Sequence, residues 1–96
     1  MKIMVTWQMY PGELHETLDK FAAMSPKDEQ AAMTADVKLI GRWHDVARGR
    51  GVAIYETDNA KAISSYALNW NGVMDLDVSI VLDDDDTREV GRSHAG

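Results

Sequence analysis

Four stretches of this 96-residue chain alternate apolar and polar side chains with period two, and two stretches of helical period fall between the first and second and between the third and fourth. That order, β-α-β-β-α-β, leaves few folds open. Lys2 to Met9 sets Ile3, Val5 and Trp7 against Met4, Thr6 and Gln8, and Tyr10-Pro11-Gly12 ends the strand. Leu14, Leu18, Phe21 and Ala22 then form an i, i+4, i+7, i+8 stripe, with Pro11 in its first turn and Glu13 and Glu16 at its positive end. Ser25-Pro26-Lys27-Asp28-Glu29 restarts a short helix to about Met33, because serine caps and proline suits the first position. Val37 to His44 and Gly51 to Thr57 read as a β-hairpin joined by a glycine-rich connection. Asp58 is placed to cap a helix whose stripe is Ile63, Tyr66, Ala67 and Trp70, and Asn71-Gly72 is its expected left-handed stop. Leu76, Val78, Ile80 and Leu82 make the last strand.

Two right-handed βαβ crossovers put both helices on one side of a four-stranded antiparallel sheet in the order 4-1-3-2, an α+β, ferredoxin-like arrangement. The expected helix-facing set is Ile3, Val5, Leu39, Val52, Ile54, Val78 and Ile80. The opposite set mixes Met4, Ile40, Ala53, Tyr55 and Val81 with Thr6, Gln8, Arg42, His44, Asp77 and Ser79. A sheet face that apolar is closed by a partner more often than left in water, so the expectation is a homodimer through the open face.

Composition narrows the function classes. Hydrophobic residues make 45% and charged residues 27% of the chain, ordinary values for one folded domain of this length. With no cysteine, disulfides, thiolate metal sites and cysteine nucleophiles are excluded. Residues 1–74 hold nine acidic and eight basic side chains and residues 75–96 hold seven and two, so the net charge of −6 sits almost wholly in the tail. A neutral body with an acidic tail repels a phosphate backbone, so no nucleic acid is expected. No charge-free stretch reaches the roughly 20 apolar residues of a membrane span, and the amino end lacks the apolar core of a signal peptide; the expected setting is cytoplasmic, with no membrane partner. Residues 1–86 read as one domain and residues 87–96 as a flexible acidic tail, whose ordering would cost about 1–2 kcal/mol of backbone entropy per residue with little burial in return. No ligand set for a metal or other cofactor stands out, and Trp7, Trp43 and Trp70 read as core.

Lys2-Ile3-Met4-Val5-Thr6-Trp7, Gly41-Arg42-Trp43-His44, Tyr55-Glu56-Thr57-Asp58 and Val81-Leu82-Asp83-Asp84 resemble a bacterial family of small proteins built on a domain of unknown function. That family is similar to the dimeric α/β-barrel superfamily, in which two ferredoxin-like subunits pack sheet against sheet and enclose a cavity. The resemblance spans about residues 1–84. It implies a cavity without choosing a reaction, because the superfamily includes cofactor-free monooxygenases, lactone isomerases, cyclases and haem enzymes.

In this topology the first two strands run the same way, so Gln8 and His44 share an end with Asp75 and Asp77. Strand spacing of about 4.8 Å puts the fourth strand about 14 Å from the second, too far for His44 to bond Asp77 within one subunit. A ligand between Gln8 and His44 would find a fixed charge in Arg42 for a carboxylate or enolate and an acid/base in His44. Arg42 and His44 are thus the candidate catalytic pair, with Thr6, Gln8, Tyr55 and Asp77 as candidate ligand contacts. The function expected is a small-molecule cavity at the sheet face, that of a cofactor-free enzyme on an acidic or enolisable substrate; the alternative is a non-catalytic ligand-binding or structural dimer module.

Overall fold

The strands and helices follow the chain as β1 (Lys2–Met9), α1 (Leu14–Ala23), α2 (Pro26–Met33), β2 (Lys38–Asp45), β3 (Arg50–Glu56), α3 (Ala60–Leu68), β4 (Met74–Val81) and α4 (Asp84–His94) in a computed structural model that describes residues 1–33 and 35–95. The strands form one antiparallel sheet ordered β2-β3-β1-β4, the expected ferredoxin-like order read from its other edge. Ser25 and Asp28 start α2 by a reciprocal pair, each side chain accepting the other's backbone N–H at 3.1 Å. α3 starts one residue later than expected: Asn59 caps it by accepting from the Ala62 N–H at 3.1 Å, while Asp58 binds the amino terminus at 3.0 Å. Among the described glycines only Gly12 and Gly49 have positive φ, so Gly72 does not form the expected left-handed stop.

The core lies between the sheet and the α2–α3 side, where Ile3, Val5, Met33, Val37, Ala53, Tyr55 and Ile63 are buried together. Two of these overturn the expected face of β3. Residues paired across antiparallel strands share a face, and Ile3 pairs with Tyr55 and Val5 with Ala53. Ala53 and Tyr55 are therefore inside, 0% and 2% exposed, and the larger aliphatics Val52 and Ile54 are outside. The register has a steric reason: Gly51 pairs with Trp7, and a Cβ there would strike the indole. Local hydrophobicity favours the other face, but room for Trp7 exists only in this one.

A β-bulge overturns the second expectation. Leu39 pairs with Tyr55 but Gly41 pairs with Ile54, so Ile40 is an extra residue and the parity of β2 flips. Leu39 stays inside as expected. Beyond the bulge, Arg42 and His44 turn to the helix-covered face, while Trp43, read as core, lies on the outer face and is 62% exposed, its indole over Gly41. On β4 the expected parity holds, Val78 pairing with Val5 and Ile80 with Ile3, yet Ile80 remains 67% exposed because β4 is an edge strand. The C-terminal segment, expected to be a flexible tail from residue 87, is helical: Asp83 accepts the Asp86 N–H at 2.8 Å and α4 runs to His94 with no buried residue.

Candidate functional site

α1 contributes the buried Thr17 to the interior, but Leu14, Leu18 and Phe21 of its apolar stripe are only half-buried, because the helix roofs a cavity instead of sealing the sheet. The cavity has a volume of about 70 Å³ and is open on one side. Trp7, Phe21, Tyr66 and Trp70 supply its aromatic lining, and Thr17, Arg42, His44, Tyr55 and Tyr66 its polar groups.

Arg42 reaches this space because the bulge turned β2 over. Its side chain is 10% exposed. Nη1 donates to Glu29 on α2, and the guanidinium lies 5.5 Å over the Phe21 ring. Burial works against the Arg42 charge, but the hydrogen bond to Glu29 and the electrostatic and hydrogen-bond interactions with the Tyr55 phenol, with a smaller contribution from Tyr66, outweigh it and hold the group above its ordinary pKa. The other nitrogen, Nη2, is buried with no hydrogen-bond partner of normal geometry among the described residues. A buried donor left unmade costs about 1–3 kcal/mol, and more when charged. Arg42 itself is part of the cavity wall, with Nη2 almost wholly shielded within it.

His44 packs against Trp7 edge-on at 5.4 Å and against Phe21 at 5.1 Å. It lines the cavity yet is exposed, which places it at the rim. Desolvation by these rings, with the nearby Arg42 charge second, lowers its pKa below the ordinary 6.5, so near neutral pH it is an uncharged acceptor. The Tyr55 hydroxyl donates to the Tyr66 hydroxyl at 3.2 Å. Burial, then Tyr55, pushes the Tyr66 phenol above its usual range, so it stays protonated. In a pair of hydroxyls one proton is always left over, and this pair keeps one to give.

Three of the six candidates therefore meet in one place: Arg42, His44 and Tyr55. The other three lie on the opposite face of the sheet. Thr6 pairs with Val52 and Asp77 in the outer row, and Gln8 gives its side-chain N–H to the Arg48 carbonyl at 2.8 Å. The sequence reading missed Glu29, taken as a helix-start acid, and Tyr66, taken as core stripe. The signal for the bulge was present in Gly41, since a lone glycine inside a strand often marks one.

The same chain satisfies a family model across residues 1–95. It belongs to the family described as a domain of unknown function, DUF3303. No curated protein matches this DUF3303 chain. Among its described residues no helix is long and apolar enough to cross a membrane.

Proposed function

We propose that the cavity under α1 is a small-molecule site in which Arg42 holds a ligand oxygen and His44 exchanges a proton with the ligand, the work of a cofactor-free enzyme on an acidic or enolisable substrate. The observation that carries this reading is the Arg42 guanidinium in the wall of an aromatic cavity, its buried Nη2 without a hydrogen bond of normal geometry among the described residues. Size sets the scale of the ligand. A cavity of about 70 Å³ is well below the roughly 300 Å³ at which drug-sized pockets begin, so it admits the reacting end of a molecule of a few heavy atoms. Chemistry by proton transfer suits the residues: a neutral imidazole at the rim accepts a proton from a carbon beside a carbonyl, while donors beneath hold the oxygen that gains charge.

The test is α-proton exchange of a small ketone in D₂O, followed by NMR. Exchange above the buffer rate that is lost in His44→Gln and reduced at least about tenfold in Arg42→Gln, both variants folded by circular dichroism, is the expected result. Exchange no faster than buffer, together with no ligand-induced shift of the Trp7 indole signal, overturns it. A second reading, a non-catalytic module closed by a second copy of the chain, is favoured by a separate observation, the exposed Trp43 on the outer face. The two readings concern opposite faces of one sheet and are compatible.

A further inference from the structure

We infer that the cavity selects a neutral carbonyl compound over the corresponding carboxylate, with the Arg42 guanidinium and the spare hydroxyl proton of the Tyr55–Tyr66 pair as the donors to its oxygen. This rests on the cavity being a ligand site and names its ligand class. The argument is one of charge. Arg42 is the one formally charged residue in the lining, and its charge is already answered by Glu29, whose side chain is 20% exposed and bonded to Nη1. Every other polar group of the wall is neutral: Thr17, the two tyrosines, and His44 near neutral pH.

An arginine that retained a whole uncompensated charge would favour a carboxylate, most of all by its bidentate edge. Here one nitrogen of that edge is taken by an internal carboxylate. A ligand carboxylate would place a second negative charge beside Glu29 in an apolar surround, where a charge without its own partner is strongly disfavoured. A ketone, aldehyde, ester or amide oxygen brings no net charge and accepts from the guanidinium and from the phenol. The same arrangement favours enolisation. The α C–H bond breaks, its proton forms an N–H bond on His44, and the electron pair moves to the carbonyl oxygen, where negative charge appears between two donors; return of the proton, or of a solvent deuteron, restores the ketone. The exposed rim position of His44 gives the proton an exit to solvent.

Glu29 is then a specificity residue acting through Arg42, and it lies on α2, outside the cavity lining. Removing its charge while keeping its shape should free Arg42 for an anion.

Three probes of one shape decide the matter: 2-butanone, propionamide and propionate, titrated at pH 7.5 against the full chain with the Trp7 indole and Tyr66 signals as readout. In the unaltered protein 2-butanone and propionamide are expected to bind at least about tenfold more tightly than propionate, and in Glu29→Gln the order reverses. Propionate binding as tightly as 2-butanone in the unaltered protein overturns the inference while leaving a ligand site in place. Binding of none of the three removes the ligand site and the inference with it. Because the first comparison uses the unaltered chain, it holds even where the variant is unstable; Tyr66→Phe, which leaves Glu29 and Arg42 intact, is expected to weaken 2-butanone without favouring propionate.

Discussion

Gly41 and Gly51 both lie under tryptophans, but a methyl group meets a different obstacle at each. At Gly51 it would strike the ring of Trp7 and come within 2.6 Å of the Trp43 carbonyl oxygen, which belongs to the sheet and cannot retreat. At Gly41 it meets only the far end of the Trp43 indole, an exposed side chain free to swing aside. Gly51→Ala should therefore cost about 1–3 kcal/mol in urea unfolding, and Gly41→Ala clearly less; equal losses would mean that the Trp43 ring is held in place. His44 gives a prediction in pH. Burial, then Arg42, lowers its folded pKa, with Glu29 acting in the other direction. The unfolded imidazole consequently takes a proton first as pH falls, so the contribution of neutral His44 to stability is present above about 6.5, fades below it, and is gone once the folded group is also protonated. An NMR titration of the imidazole should give a midpoint under 6.5, and Arg42→Gln should raise that midpoint only in part, since burial is the larger cause. A midpoint at or above 6.5 in the unaltered protein contradicts this account.

At the scale of elements, α4 is the one whose survival is least secured by packing. It has 11 residues, none buried, and its bonds run among residues 83–95: Asp83 caps it and Arg88 reaches Asp85 at 3.0 Å. Isolated helices shorter than about 12–15 residues are marginal in water, and the cap is worth about 1 kcal/mol. Asp83→Ala should unravel α4, seen as loss of helical chemical shifts over residues 84–94. A chain ending at Asp83 should melt within a few degrees of the full one, because a drop of about 8 °C corresponds to at least a kcal/mol or so in a domain this size. Such a drop would show α4 to be part of the fold. The strands and helices up to β4 were legible from period and, for α2, from its Ser25-Pro26 start, and right-handed crossovers supplied the sheet order. What period could not supply was which side of β3 and β2 faces inward. Ala53 and Tyr55 are inside because Gly51 must sit opposite Trp7, a relation between strands about 45 residues apart in sequence. Arg42 and His44 do share one face, but it is the face opposite to the expected one, since one extra residue at Ile40 inverts everything after it. Helix α4 escaped because its acids were read as a reason for disorder, whereas Asp84, Asp85 and Asp86 lie in its first turn, where negative charge supports a helix.

For the molecule as a whole, the bulge assigns to opposite faces of the sheet the two proposed roles that the sequence reading had placed on one surface. The cavity lies between sheet and helices. The outer face carries Trp43, with Val52, Ile54, Met4 and Val81 partly covered and Lys2, Lys38, Asp45 and Arg50 toward its two ends, an apolar centre with a charged rim. That is the anatomy of an interface, and an exposed tryptophan is among the side chains that most often anchor one. We therefore expect a homodimer closed through this face, with a mass of about 21 kDa in sedimentation at micromolar concentration against 10.7 kDa for one chain. Trp43→Glu should make it monomeric, because a carboxylate at the centre of the interface would be buried without a partner. The division of faces then makes a second claim. If the site is complete within one chain, the monomeric variant should bind 2-butanone within about threefold of the unaltered protein, a change of well under 1 kcal/mol. A monomeric, folded Trp43→Glu that has lost the ligand would show that the second subunit shapes the cavity across the thickness of the sheet, and a sedimenting monomer of the unaltered chain would leave the outer face without the partner argued for here.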